Sequence, residues 1–346
     1  MKFYQLSLFQ SSHCFLVASS FQIKSNIIVL QLNKEPTFQD VKNSSNRIAS
    51  FVHNTPVLAS RSIDSKVNGE IYFKCENFQK TGSFKMRGAS NAVLSLTEEE
   101  KKYGVVTVSS GNHGAALAHA ATMNKIESYV VTPKSTNPVK IQAMKQYGAE
   151  LIFCDSTIES RESTFQKIQK ETGAAPIHPF NDYRVIAGAG TAALELLDKI
   201  NELDIILVPV GGGGLVSGTG IVGSHLISKF KLIGVEADIA DYGRQSLLNG
   251  KIIPSDYPDT LADGLRATVG KITFPIIRKH ISEILTVSED EIMQSMRFIW
   301  ERVKIIVEPS SAVTLAAIFK YSEKFSGKKT GVILSGGNVD LSQIKW

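Results

Sequence analysis

Cysteine is scarce in this chain. Its 346 residues hold three, Cys14, Cys75 and Cys154, odd in number and far apart. That pattern offers neither a disulfide framework nor a metal knuckle, and it fits a reducing compartment. Long apolar runs are missing too, since none approaches the ~18–20 residues that a membrane span needs. The net charge of +5 is mild, and no Lys/Arg cluster of the kind that tracks a phosphate backbone is present. Neither nucleic acid nor a membrane is therefore expected as a partner. No internal repeat and no low-complexity linker interrupts the sequence. Acidic residues are absent before Glu35, and Leu6–Phe21 mixes apolar residues with Ser and Gln. Poverty in acid and richness in serine suit a targeting segment, but the stretch has no arginine, and Gln10 and His13 break any signal-peptide core. A disordered N-terminal extension over 1–36 is the other reading. A cytoplasmic location is expected, with organellar targeting left open by this extension.

What is present is ordinary for a folded protein: 43% hydrophobic and 21% charged residues, in a length that fits one to three domains. From about Thr37 onward, strand-like runs alternate with helix-like ones. Candidate strands are Glu70–Lys74, Gly104–Val108, Ser128–Thr132, Glu150–Phe153, Ile205–Val210, Lys231–Glu236 and Thr330–Leu334. Most are rich in Val, Ile and Leu on both faces, as in parallel sheets covered by helices. Thr97 with Glu100 and Ser288 with Glu291 have capping-box spacing. Pro138 followed by a run to Gly148 predicts a helix bounded by proline and glycine. The expectation is an α/β protein whose ligands sit where strand ends meet helix starts.

Three glycine-bearing segments follow strands directly: Ser109-Ser110-Gly111-Asn112-His113-Gly114, Gly211-Gly212-Gly213-Gly214-Leu215-Val216-Ser217-Gly218 and Ser335-Gly336-Gly337-Asn338. Glycine at such a place lets backbone N–H groups approach an anion, and a following helix adds its positive end. One such loop alone reads as a tight turn. Three in one α/β chain argue for a polyanionic ligand in a shared cleft. The four-glycine run, with Glu236 about 20 residues on, also resembles a dinucleotide-binding unit, which keeps an NAD-dependent oxidoreductase as the rival of another class. Its glycine spacing fails at the third position, and no lysine follows to make a nucleotide P-loop. A fourth element, Gly82-Ser83-Phe84-Lys85-Met86-Arg87-Gly88-Ala89, places Lys85 after a turn at the start of a helical stretch. A partly desolvated lysine there has a lowered pKa and suits imine formation; a solvent-facing lysine on a first helical turn is the alternative.

GSFKMRGA, SSGNHG, VPVGGGGLVSG and LSGGNVDL together resemble the signature segments of fold-type II pyridoxal-phosphate enzymes, from about residue 38 to the C-terminus. Within that group the chain is most similar to serine racemases and serine/threonine dehydratases. The resemblance implies a tryptophan synthase β-like architecture, with two open parallel-sheet domains and the cofactor in the cleft between them. Residues 37–103 plus 183–346 would form the large cofactor-binding domain, and 104–182 the small substrate-closing domain. Lys85 would hold pyridoxal 5'-phosphate covalently, with Phe84 against its ring, Asn112 on its phenolic oxygen, and Gly211, Gly212, Gly213, Gly214 and Leu215 around its phosphate. Ser335 would face the pyridine nitrogen. A hydroxyl does not hold that nitrogen protonated as an aspartate does, which favours α-proton abstraction followed by β-elimination or racemisation.

The resemblance also implies an amino-acid substrate, its carboxylate bound by Ser109, Ser110, Asn112 and His113 with Arg161 closing over it. A packed loop histidine is the plainer reading of His113. Ser110 is the discriminating residue, because threonine-specific bacterial dehydratases usually carry alanine there and racemases carry serine. Racemisation needs proton-transfer groups on opposite faces, and Lys85 and Ser110 would supply them. The expected activity is conversion of L-serine to D-serine with concurrent elimination to pyruvate and ammonia. An L-serine/L-threonine ammonia-lyase, a hydroxyaspartate lyase and an aspartate racemase are the alternatives. A homodimer is expected. Serine racemases also hold Mg2+ or another divalent cation, for which Glu236 and the Ala240 carbonyl would be ligands. Tyr242 stands where the second carboxylate is expected, which would weaken that site or shift it to a monovalent ion.

Overall fold

The computed structural model describes residues 34–344. Cys14 and residues 1–33 of the expected extension lie outside the described residues. Ten strands are described: β1 Val57–Ala59, β2 Glu70–Cys75, β3 Val105–Val108, β4 Ser128–Pro133, β5 Glu150–Cys154, β6 Ala175–Pro176, β7 Ile205–Pro209, β8 Lys231–Ala237, β9 Ile281–Val287 and β10 Lys329–Leu334. They form two sheets. One has six strands in the order β1-β2-β10-β7-β8-β9, and the other has four in the order β5-β4-β3-β6. Every pairing is parallel except β1 with β2. The architecture is the fold-type II arrangement of two open, helix-covered parallel sheets.

The six-stranded sheet explains why its strands read as unbroken apolar runs. Ile205 and Leu207 of β7 face one core with Val332 and Leu334 of β10, while Ile206, Val208 and Ile333 face a second core on the opposite side. Each strand thus alternates between two dry faces. The helices Glu289–Phe298 and Pro309–Lys320 help form the first core, and Tyr183–Lys199, Gly214–Leu226 and Thr273–His280 the second. A third core joins the helices Lys85–Leu94 and Asn112–Met123 to the four-stranded sheet through Met86, Ala89, Val105, Leu117 and Ala120. Both predicted capping boxes are present, at Thr97/Glu100 and Ser288/Glu291. The helix after Asn137 runs Pro138–Gln146 and is followed by Gly148 at φ +93°.

Lys85 opens its helix, and two devices fix where that helix lies. The first is close approach. A Cβ on Gly188 would stand 2.6 Å from the Arg87 carbonyl oxygen, and one on Gly218 would stand 2.6 Å from the Gly190 nitrogen. Three helices therefore touch backbone to backbone, which only glycine permits. The second is a buried ionic network around Arg87, which is 0% exposed. Its guanidinium donates from Nε to Glu76 (2.7 Å) and from the terminal nitrogens to Glu76 (2.8 Å), Glu195 (2.7 and 2.8 Å) and Thr191 (3.1 Å). Lys74 adds donors to Glu195 (2.6 Å) and to the Thr55 carbonyl (2.7 Å). Burial opposes the charged form of Glu76, but the Arg87 guanidinium outweighs it and holds the carboxyl below its usual range. The planar fork of arginine satisfies two carboxylates at once, which an ammonium cannot do.

Replacing Arg87 by methionine leaves Glu76 and Glu195 without their shared partner. We predict a loss of about 3–5 kcal/mol in urea unfolding, with Arg87→Lys recovering only part of it. A loss below ~1 kcal/mol would show that the network does not hold the helix.

Candidate active site

The C-terminal ends of β3, β7 and β10 open onto one cavity of about 660 Å³. Since β3 belongs to the four-stranded sheet and β7 and β10 to the six-stranded one, the cavity lies between the sheets. This is the place where strand carboxyl ends deliver loops and helix N-termini to a ligand. Its wall brings together Phe84, Lys85, Ser109, Ser110, Asn112, His113, Arg161, Gly211, Gly212, Gly213, Gly214, Leu215 and Ser335. Glu236 and Ala240 are not part of it.

Lys85 is partly buried, and its amine reaches the cavity 5.0 Å from the Phe84 ring centroid, donating to the Pro179 carbonyl oxygen at 2.9 Å. Burial pushes its pKa down to about 8, against a smaller opposing pull from the Glu308 carboxylate. Near neutral pH about a tenth of the amine is therefore neutral, far more than for a free lysine. Phe84 itself is tied down by its N–H, which donates to the Ser335 carbonyl oxygen at 2.9 Å.

The glycine loop after β7 is the N-terminal end of the helix Gly214–Leu226. Gly213 has φ +90°, and a Cβ there would strike Ile277 and Thr273 at 2.6–2.8 Å. A Cβ on Gly212 would sit 2.1 Å from the Phe180 ring. Glycine is thus required on the packed side, and the loop presents backbone with no side chain to shield it from an anion. An amine with a lowered pKa, a bare helix N-terminus and a hydroxyl at Ser335 in one cavity suit an aldehyde that carries a phosphate and a ring nitrogen. Ser335 lies 3.1 Å from the Ser311 hydroxyl, whose proton goes to the Gly336 carbonyl oxygen at 2.7 Å.

The loop after β3 is more committed internally than its sequence suggests. Ser109 Oγ accepts the N–H groups of Gly111 (3.2 Å) and Gly114 (3.0 Å), starting the helix Asn112–Met123. Asn112 donates to both oxygens of Glu308 (3.0 and 3.1 Å) and accepts from Asn338 (2.9 Å). Ser110, by contrast, is exposed within the cavity. His113 is 3% exposed, with Nε2 3.2 Å from the Ile177 carbonyl oxygen. Burial, aided by Lys85, pushes its pKa down to about 3, so it stays neutral and packed. Arg161 comes from the helix Ile158–Thr172, lies 5.1 Å from the Tyr257 ring centroid, and has a buried Nε without a protein partner.

Several wall residues were not singled out from sequence. Glu308, buried at the start of the helix Pro309–Lys320, has its pKa pushed up to about 7 by burial and by Asp263. An acid directly before a proline that begins a helix was the available signal. His178 is pushed down to about 4 by burial and then Lys85, and its Nδ1 accepts the N–H of Asn181 at 2.9 Å. Lys140 and Asp263 form an ion pair across the cavity rim. Residues so far apart in the chain carry no joint sequence signal.

The sequence profile of the family described as pyridoxal-phosphate dependent enzyme matches residues 48–336. The chain is 50% identical over 313 residues to serine racemase from Dictyostelium discoideum, covering 89% of this chain and 96% of that protein. It is 42% identical over 311 residues to β-hydroxyaspartate dehydratase from Paracoccus denitrificans, covering 90% and 99%. The crystal structure of the Dictyostelium serine racemase superposes with a TM-score of 0.85 at 49% identity, covering 88% of this chain and 99% of that one.

The lowered pKa of Lys85 has a pH signature. The amine is neutral above its pKa, so capture of pyridoxal phosphate by cofactor-free protein, followed by absorbance, rises with pH through a midpoint near 8. Because Glu308 favours the ammonium form, Glu308→Gln shifts that midpoint to lower pH. A midpoint above about 10, the value of a free lysine, would contradict the buried amine.

Proposed function

The chain belongs to the pyridoxal-phosphate-dependent enzymes, and from that premise we propose that it is a serine racemase with concurrent β-elimination. It converts L-serine to D-serine, and serine to pyruvate and ammonia. The observation that carries the reading is that the partly buried Lys85, with its lowered pKa, and the exposed Ser110 both line one cavity. The 50% identity to a serine racemase supports it.

When bound, pyridoxal phosphate withdraws the electron pair left at the substrate α-carbon and so acidifies the α-proton. Lys85 would hold the cofactor, and its free, neutral amine would take the substrate α-proton. Ser110 returns a proton from the opposite face, which inverts the centre. If the β-hydroxyl leaves instead, it departs as water with the proton that Lys85 has taken, and a second water hydrolyses the released enamino acid to pyruvate and ammonia. Phe84 would pack against the cofactor ring, Asn112 would face its phenolic oxygen, Gly211 to Leu215 would hold its phosphate, and Ser335 would face its ring nitrogen. The loop from Ser109 to His113 binds the substrate carboxylate through its backbone and hydroxyls, with Arg161 closing over it. His113, held neutral, positions this loop and transfers no proton near neutral pH.

A second reading is a lyase or racemase for aspartate-like substrates. It is supported by the 42% identity to a β-hydroxyaspartate dehydratase and by Lys140, Arg161 and Arg266 in the cavity wall, which would suit a second carboxylate. An L-serine/L-threonine ammonia-lyase follows if Ser110 transfers no proton. Residues 104–182 are the substrate-closing domain of this proposal, and 37–103 with 183–346 the cofactor domain. A cytoplasmic homodimer completes it: two separated free cysteines support a reducing location, and the resemblance supports the dimer.

Incubation with L-serine, L-threonine, L-aspartate and threo-3-hydroxyaspartate, scored for D-amino acid and keto acid, separates these readings. We expect D-serine together with pyruvate from L-serine. Abundant keto acid without D-serine would make the enzyme a lyase. In Ser110→Ala, D-serine formation falls by about 10²-fold or more while pyruvate from L-serine persists; equal loss of both would remove Ser110 as the opposite-face group.

A further inference from the structure

The cation implied for Glu236 and Ala240 meets a donor set that does not fit it. Glu236, near the end of β8, is 1% exposed, and its two oxygens accept the N–H groups of Gly243 (2.8 Å) and Arg244 (2.9 Å). These belong to the first turn of the helix Tyr242–Asn249. A Cβ on Gly243 would come within 2.5 Å of the Glu236 carboxylate, so the acid lies flush against the helix end. Asp241, the neighbouring acid, is engaged by Arg244 (3.3 Å) and Gln245 (3.1 Å). The position where a second carboxylate is expected holds Tyr242, whose hydroxyl donates to Asp256. Among the described residues no three His, Cys, Asp or Glu side chains gather to hold a metal. A hard divalent ion takes about six or more oxygen ligands; even with waters completing the shell, one carboxylate already bound to two N–H groups and one carbonyl offer it little charge and few protein oxygens.

A cation at this place would tie the end of β8 to the helix that follows and to what that helix touches. Hydrogen bonds already do this. Beyond the Tyr242–Asp256 contact, Ser246 Oγ accepts the Ile253 N–H (2.9 Å) and donates to the Tyr242 carbonyl oxygen (2.6 Å). Ser255 donates to the Arg266 carbonyl oxygen (2.5 Å) and Thr268 to that of Ile253 (2.6 Å). The segment laced down in this way supplies Tyr257, Asp263, Leu265 and Arg266 to the active-site wall.

We propose that the Glu236 cap and the Tyr242–Asp256 hydrogen bond take the place of the cation, so that this enzyme positions its cavity wall without a divalent metal. Tyr242 and Asp256 are then positioning residues. The inference uses the family reading only to say where an ion is expected, and its first test is independent of activity. Chelator-treated holoenzyme is titrated with Mg2+ or Ca2+ by calorimetry and by thermal unfolding. We expect no saturable heat up to about 1 mM and a melting shift below about 1 °C. Saturable binding with a rise of about 5 °C or more overturns the proposal. So does a loss of D-serine and keto-acid formation of about tenfold or more on chelation that Mg2+ or Ca2+ reverses. Tyr242→Phe should raise KM for L-serine more than it lowers kcat, and an unchanged KM overturns the anchoring role. Tyr242→Asp should gain a Ca2+-dependent melting rise; if it stays blind to Ca2+, Tyr242 is not what displaced the ion and the proposal fails.

Discussion

Keeping a lysine amine out of bulk water, yet open to one side, is the constraint on which this molecule depends. The ammonium form of Lys85 is penalised by burial, and the Glu308 carboxylate, which favours that form, is itself driven toward its neutral form. Holding the amine there requires a fixed backbone beneath Lys85, since its burial depends on where the helix lies. The Arg87 network and the glycine-to-glycine helix crossings provide that rigidity, and neither touches the cavity.

Around this amine the two sheets contribute different things. The six-stranded sheet supplies the glycine loop and Ser335, and the chain leaving its strand β2 leads to the helix that begins at Lys85, which packs in the core shared with the four-stranded sheet. The four-stranded sheet supplies the loop Ser109–His113, with Ser110 open to the cavity. Contacts across the rim then join the two sides: Lys140 with Asp263, Asn137 with Asp340 (3.0 Å) and Arg161 over Tyr257. Residues 253–268, which receive two of these contacts, are held from behind by the helix Tyr242–Asn249. The cavity is thus framed by one rigid side and one clasped side, the division of labour expected when a substrate must enter a site that later excludes water.

Much of this was legible in the sequence, for identifiable reasons. Strands buried on both faces, such as β7 and β10, announce themselves as apolar runs, and the glycine-bearing loops after β3, β7 and β10 stand out in the sequence. The strand β9 was not, because Glu283 interrupts its apolar pattern and the helix Thr273–His280 runs into it without a turn signal. Lys74, Glu76 and Arg87 look like surface residues by composition, and only tertiary pairing makes them core. The plainer readings of single residues divided as well. Lys85 proved to be no solvent-facing lysine, whereas His113 is packed as a loop histidine would be. Pairs such as Lys140 with Asp263 are invisible until the fold brings them together.

The central claim is that Lys85, among all the lysines of the chain, is the one that holds pyridoxal phosphate. Borohydride reduction of the purified holoenzyme, followed by proteolysis and mass spectrometry, tests it directly. The account predicts a single phosphopyridoxyl adduct on the peptide containing Gly82-Ser83-Phe84-Lys85, with loss of the visible absorbance. An adduct on any other lysine, or none on a protein that nonetheless turns over serine, would contradict it.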